Sequence, residues 1–262
     1  EQYKLCISRD LAADAALIIS RRNSYHPVRT YLGSIKTSLS KQQWSSIATC
    51  CFGITDPMAN VHLQRQLIAL VARAFKPGCD LHTALVLQSD KQGIGKSKFW
   101  KILGGQWFSD SLGDLRNLKE DTLQLHSAWI HEWGEIDRVL GVRMSETLKG
   151  FLSRNWDDVR KPYGRGYEQL KRSCGIVGTT NRRDFIKDFT GNRRFPIISI
   201  KEVRVNWVEE NRDSIWGSAV KAYKSNIRWH YNQEENSAIT SKAQEYAAPD
   251  PLREQLETWL ED

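Results

Sequence analysis

Apolar positions recur at helical spacing through the first 80 residues. Leu11, Ala15, Ile18 and Ile19 share one face, and Leu63, Leu67, Leu70, Val71 and Ala74 share another, the spacing of amphipathic helices. Pro27 and Pro57 separate these helices, Pro77-Gly78 ends the last, and the polar run 34–43 reads as a loop. The texture then changes. Thr83-Ala84-Leu85-Val86-Leu87 is a short, uninterrupted apolar run, as a strand covered on both faces requires. Residues 128–130 and 175–179 are similar, and 196–200 supplies a further strand. Helical patterns at 97–103 and 145–152 lie between them. Strands alternating with helices predict an α/β fold with a mainly parallel sheet. Beyond Val205, the positions Ile215, Ala219, Ala222 and Tyr223 restore a helical face; 233–242 reads as a linker and 252–260 as a final helix. The chain thus divides into a helical N-terminal segment (1–80), an α/β core (81–205) and a helical C-terminal segment (206–262).

Composition narrows the class. At about 150 residues per domain, a length of 262 points to one or two domains. With 40% hydrophobic and 26% charged residues, wholesale disorder is excluded. No apolar stretch approaches the ~18 residues of a membrane span, and no secretory signal opens the chain, so a cytoplasmic protein is expected. Glu1 stands where an initiator Met would, which suggests a fragment of a longer chain. The five cysteines, Cys6, Cys50, Cys51, Cys79 and Cys174, are odd in number and show no CxxC spacing. Reduced thiols are expected rather than a zinc site or disulfide framework. The net charge of +7 permits a nucleic-acid partner without requiring one.

The sharpest chemical signal follows the strand at 83–87. Gln88-Ser89-Asp90-Lys91 leads into Gln92-Gly93-Ile94-Gly95-Lys96-Ser97-Lys98 and then a helical pattern. Gly93 and Gly95 let the backbone wrap closely and turn N–H groups toward phosphate oxygens. Lys96 can reach the β- and γ-phosphates, and the Ser97 hydroxyl can ligate Mg²⁺. The pattern G-x-G-K-[ST] arises by chance in roughly one chain in a hundred of this length, and strand–loop–helix context lowers that further. One position departs: the first glycine usual in such loops is Asp90, an acid unwelcome beside triphosphate unless it points outward.

A nucleotide hydrolase also needs acids at a neighbouring strand end. Trp129-Ile130-His131 delivers Glu132 and Glu135, with Asp137 just beyond. Glu132 is expected to hold the metal shell and Glu135 to orient the attacking water, with the order of the two roles open; His131 is expected to be packed. Asn181 closes the strand 176–180 and can contact the γ-phosphate or the water as a sensor. Arg193 and Arg194 follow Gly191-Asn192, and either can serve as an arginine finger on a neighbour's γ-phosphate. Trp100, Trp107, Trp129 and Trp133 lie in apolar patterns and read as core; Trp44, Trp216 and Trp259 read as helix-packing residues.

These motifs, taken in order, resemble the virulence-associated E family of phage and plasmid replication proteins, grouped with the superfamily III helicases among the AAA+ ATPases. The resemblance spans about 23–262 and is firmest over 70–195. It rests on His26-Pro27-Val28-Arg29, Ala72-Arg73-Ala74-Phe75-Lys76-Pro77-Gly78-Cys79, the phosphate loop, Gly105-Gln106-Trp107-Phe108-Ser109-Asp110-Ser111-Leu112 and Glu132-Trp133-Gly134-Glu135-Ile136-Asp137. Lys149-Gly150-Phe151-Leu152-Ser153-Arg154, Arg160-Lys161-Pro162-Tyr163-Gly164-Arg165, Gly178-Thr179-Thr180-Asn181 and Thr190-Gly191-Asn192-Arg193-Arg194-Phe195 complete the series. It implies a P-loop NTPase core of AAA+/superfamily III type, using ATP and Mg²⁺ as a DNA helicase or translocase. It further implies a homo-oligomeric ring, a hexamer, on single-stranded DNA; such motors are often joined to a primase domain, and any primase would lie upstream in the full-length protein.

In such helicases a hairpin before the sensor strand grips DNA in the pore. Here Arg160, Lys161 and Arg165 supply cations, and Tyr163 and Tyr167 supply stacking faces. Lys171, Arg172, Arg182 and Arg183 are expected to extend this basic surface. Two rivals stand beside the motor: a DNA-binding initiation module that uses ATP as a switch without unwinding, and a small-molecule phosphotransferase. DNA-stimulated hydrolysis with strand displacement separates the first, and phosphate transfer to an added acceptor separates the second.

Overall fold

The computed structural model describes residues 8–22, 25–140, 145–160, 166–186, 192–248 and 259. Five helices open the chain: α1 (Arg9–Arg22), α2 (Pro27–Ser34), α3 (Lys41–Ser45), α4 (Ile47–Phe52) and α5 (Pro57–Phe75). Local chemistry starts and stops them. Pro27 and Pro57 each occupy a first helical turn, and the Asp56 carboxylate accepts from the Met58 N–H. Ser40 and Gln43 form a capping box that starts α3 inside the run expected to be loop. Leu63, Leu67, Leu70, Val71 and Ala74 of α5 are buried, whereas α1 leaves Leu11, Ile18 and Ile19 more than half exposed.

Five parallel strands form the main sheet. They are β1 (Leu85–Gln88), β2 (Phe108–Ser109), β3 (Ile130–Gly134), β6 (Gly175–Thr180) and β7 (Ile197–Ser199), in the order β2-β3-β6-β1-β7. A separate antiparallel pair, β4 (Trp156–Val159) and β5 (Glu168–Lys171), interrupts the series. Helices α6 (Lys96–Gly104), α7 (Leu118–Leu125), α8 (Ser145–Ser153), α9 (Val205–Lys224) and α10 (Gln233–Gln244) complete the described α-helices. The chain is therefore α/β with a mainly parallel sheet.

Both faces of that sheet are covered, which is why its strands read as unbroken apolar runs. Leu85, Leu87, Ile130, Val177 and Ile198 join one core with α5, α6 and α9. Val86, Trp133, Ile176 and Ile197 join the other with α8 and α10. Trp100, Trp129, Trp133 and Trp216 are buried, Trp44 and Trp107 pack at the core's edge, and Trp259 is 75% exposed rather than packed. No described helix is long and apolar enough to cross a membrane.

The segment expected to be a linker is helix α10. Asn232 and Glu235 form its capping box, and Ile239 and Ala243 bury one narrow apolar edge. Too few apolar positions mark it for periodicity to reveal, but the Asn-x-x-Glu start was readable. The final helix expected over 252–260 lies outside the described residues apart from Trp259, which is helical.

Two contacts hold the outer pieces to the core. The 35–40 segment runs along α9, where the Leu39 N–H donates to the Ser218 hydroxyl at 2.8 Å. There a Cβ on Gly217 would lie 1.8 Å from the Thr37 carbonyl oxygen. Under the β4–β5 pair, Arg172 grips Asp157 through Nε and Nη2, each at 2.7 Å, with both side chains buried. Arg172 also donates to the Phe151 carbonyl, and His126 lies 3.1 Å from Asp157. Burial alone would raise the Asp157 carboxyl, but the Arg172 and His126 contacts outweigh it and hold the group at about 2.

Gly217→Ala should lower stability by about 3 kcal/mol or more, because backbone rather than a flexible side chain stands in the way; chemical denaturation would measure it. The Asp157 carboxyl is depressed on folding, so its stabilisation is complete above its ordinary value of 3.8. That stabilisation should be lost as pH falls from about 4 to about 2. An Asp157→Asn variant should show a flatter melting-temperature profile across that window.

Candidate functional site

Because β1, β3 and β6 run parallel, the loops that follow them meet at one edge of the sheet. After β1 the chain turns through Gly93 and Gly95, with φ of 74° and 97°, into the N-terminus of α6. A side chain at Gly95 would be strained at that φ, although its Cβ would meet Val203 and Val205 only at ordinary contact distance, 3.4 Å. Gly93, Ile94, Gly95, Lys96, Ser97 and Lys98 line one wall of a 430 Å³ cleft. Gly134 and Glu135 after β3, with Thr179, Thr180 and Asn181 at the end of β6, line the other. Gln92, also expected at this loop, is exposed outside the cleft lining.

Lys96 is largely buried. Its Nζ donates to Asn181 Oδ1 at 2.6 Å and to the Lys91 carbonyl at 3.3 Å, and burial lowers its pKa. Ser97 Oγ and Thr179 Oγ1 both donate to Glu132 Oε1 at 2.6 Å. Glu132 Oε2 is buried with no partner among the described residues. Burial raises the Glu132 pKa; the two hydroxyls oppose that, the Asp110 charge adds to it and Lys96 counters it. This acid faces two neutral hydroxyl donors and the charge of Lys96, with one oxygen left over.

Glu135 is placed differently. It sits at the cleft rim in a left-handed conformation, φ 54°, and pairs with Arg138 at 2.6 Å. Such a φ is uncommon for a residue with a side chain, and the turn Ile136–Arg138 follows directly. Asp137 accepts from Thr180 Oγ1 at 3.0 Å. His131 is buried, with Nε2 2.9 Å from the Leu125 carbonyl oxygen. Lys98 points to Glu209 at 3.4 Å.

Asp90 is bound by Arg183 at 2.8 and 2.5 Å and by Gln88 at 2.9 Å. Those hydrogen bonds, Arg183's first, lower its pKa. It is absent from the positive-φ residues, so this turn does not demand glycine there. Thr179, Thr180, Gln88 and Arg183 were not picked out as site residues from sequence. Thr179 and Thr180 had appeared only within the motif that ends in Asn181 and Arg183 only as part of a basic surface; each lies at or just beyond the end of a parallel strand.

Arg193 and Arg194 do not join this cleft. They precede β7 and therefore lie at the opposite edge of the sheet, lining a separate 190 Å³ cleft. Arg193 is exposed; Arg194 is partly buried and donates to Ser153 Oγ at 3.2 Å. Of the expected DNA contacts, Lys161, Tyr163 and Arg165 lie outside the described residues. Arg160 follows β4 and is exposed, and Tyr167 before β5 is 72% exposed. Arg172 does not extend the basic surface: it is buried against Asp157. Arg182 pairs with Asp184 and Arg183 with Asp90, so local carboxylates offset both cations.

The fold has relatives among solved structures. An apo structure of the NrS-1 C-terminal region superimposes with a TM-score of 0.54 at 14% identity, covering 80% of this chain and 54% of that one. An A-form apo structure of the same region gives 0.54 at 15% identity, covering 80% and 53%. The chain thus spans about half the length of these structures, and at such identity the likeness concerns the fold alone. No curated protein matches the chain. The profile described as the virulence-associated protein E-like domain matches residues 34–248, and the chain belongs to that family.

Proposed function

We propose that this chain is an ATP-hydrolysing replication motor of a phage, plasmid or similar mobile element, moving on single-stranded DNA as a homo-oligomeric ring. The observation that carries the reading is the junction of three strand ends. Lys96 is joined to Asn181, and Ser97 and Thr179 converge on a buried Glu132 whose second oxygen has no partner. Family membership supports a replication role. The strand order β2-β3-β6-β1-β7, with a glycine turn after β1, supports a P-loop core of AAA+ type.

In this reading the residues divide the work by position. The N–H groups of Gly93 to Ser97 open toward the cleft and bind phosphate oxygens at the start of α6. Lys96 Nζ turns from Asn181 to the β- and γ-phosphates, which frees the amide to contact the γ-phosphate or the attacking water. Ser97 Oγ and the unpartnered Glu132 Oε2 are the ligands on this chain for Mg²⁺, directly or through water. Mg²⁺ when bound supplies neutralisation of phosphate charge and a template for in-line attack. Glu135, exposed at the rim, orients water. Asp90, held outward by Arg183, leaves the phosphate path clear. Arg193, exposed and without an ion pair among the described residues, is the better placed of the two arginines to reach a neighbour's nucleotide. Hydrolysis then changes the subunit contact and moves the β4–β5 hairpin along the strand.

Lys96→Met should abolish ATP binding in a fluorescence titration, and Glu132→Gln should bind ATP but hydrolyse it about 10²–10³-fold more slowly. Hydrolysis by the wild-type chain should rise with single-stranded DNA and displace a complementary strand. Hydrolysis at the wild-type rate by Lys96→Met would remove the reading, and DNA-independent hydrolysis without displacement would leave only the switch. Arg193→Ala should lower turnover by about 10³-fold or more while sparing ATP binding. Its activity should recover when mixed with Lys96→Met subunits, which can donate a finger.

A further inference from the structure

The 190 Å³ cleft at the far edge of the sheet has a chemistry of its own. Arg193 and Arg194 stand side by side in its wall, together with His82, Trp229 and His230. Neither arginine forms an ion pair among the described residues. Arg194 is the more deeply set, and its Nε is buried without an acceptor. Burial, then the neighbouring Arg193 charge, lowers its pKa, with Glu146 opposing. His82 Nε2 is likewise buried without a hydrogen-bond partner, 3.7 Å from Asp80 Oδ1. Two adjacent guanidinium groups, one with a buried Nε that has no acceptor, carry a cost that an acceptor-rich anion relieves.

The nearby carboxylates do not fill that role. Asp80 Oδ1 accepts from Asn155 at 2.6 Å, and Glu146 is exposed and paired with Lys149. Trp229 is fixed by a bond from its Nε1 to the Asp80 carbonyl at 2.8 Å, so its ring forms a steady wall. A volume of 190 Å³ suits a phosphate group with little attached, and paired arginines match its oxygens in a fork geometry. Asn155, which binds Asp80, is the residue immediately before β4. The cleft therefore adjoins the root of the β4–β5 hairpin.

We propose that this cleft is a second phosphate-binding site, formed within one chain by Arg194, His82 and His230, with the exposed Arg193 at its rim. It is distinct from the glycine loop at the opposite sheet edge. Its ligand is a phosphate group, carried either by a nucleic-acid backbone or by a terminal phosphomonoester. The site stands whether or not the chain hydrolyses ATP, since it uses none of the glycine-loop residues.

The test uses Lys96→Ala protein, in which the glycine loop is disabled, at concentrations where light scattering reports a single chain. Inorganic phosphate should bind calorimetrically, and adding Arg194→Gln should weaken it about tenfold, the loss of one charge-assisted contact. Phosphate should also shift the imidazole NMR signals of His82 and His230 in the Lys96→Ala protein, a readout that survives if Arg194→Gln does not fold. Unmoved imidazole signals, or phosphate binding indifferent to a folded Arg194→Gln, would overturn the site. Competition by a dinucleotide lacking terminal phosphate assigns the site to strand backbone. Competition by a nucleoside monophosphate alone assigns it to a terminal phosphate, and competition by neither overturns a nucleic-acid or nucleotide ligand for the site.

Discussion

The parallel register of β3, β6 and β1 is the constraint on which the rest of the molecule depends. Glu132 lies opposite Val177, and Val177 lies opposite Leu85. Side chains alternate across a strand, so this register sends Ile130 and Glu132 toward the face that α6 covers, and Trp133 toward the other core. A slip of one residue would exchange those faces. It would present an indole or an imidazole to Ser97 and drive a carboxylate into the core of α8. Packing of large apolar side chains on both faces thus sets where one polar side chain meets its partners.

Two buried carboxylates show how the fold separates structural charge from chemical charge. Asp157 receives a guanidinium in fork geometry, and its contacts hold it ionised well below the ordinary carboxylate range. Glu132 receives two hydroxyls and keeps one oxygen unpaired, so burial dominates and raises its pKa. A fully satisfied acid is a clamp, and here it fastens the hairpin to α8. An under-satisfied acid beside a lysine and a cleft retains capacity for a ligand. Stability alone gives no reason to keep Glu132: an apolar residue of similar volume would be less costly at a site with no guanidinium partner.

Much of this arrangement was legible in the sequence because it rests on local patterns. Unbroken apolar runs marked β1, β6 and β7 within a residue or two, and Gly93-Ile94-Gly95-Lys96-Ser97 marked the turn after β1. Glu132 and Asn181 were found because each sits at the end of such a run. The failures come from distant partners or from sparse burial. Arg172 and Arg183 read as surface cations because their partners, Asp157 and Asp90, lie 15 and 93 residues away and no periodicity links them. Helix α10 read as a linker because it buries only Ile239 and Ala243. Asp90 read as an intruder because its counter-ion comes from beyond β6. Pairing across the sheet is tertiary information, and a linear pattern does not carry it.

The two edges of the sheet constrain what one chain can do alone. Lys96 follows β1 and meets Asn181 beyond β6, and the Glu132 side chain, from the middle of β3, reaches Ser97 and Thr179 there, whereas Arg193 and Arg194 sit before β7, where β1 begins. A strand advances about 3.3 Å per residue, and β1 has four residues. The edges are thus separated by about 13 Å of strand alone, beyond any hydrogen bond from an arginine in the same chain to the glycine loop. The arginines must therefore act on something other than their own chain's glycine-loop cleft. Arg193, exposed, is free to face a second copy. Arg194, tied to Ser153 and set among histidines, is not free to leave its wall, and its ligand has to come to it.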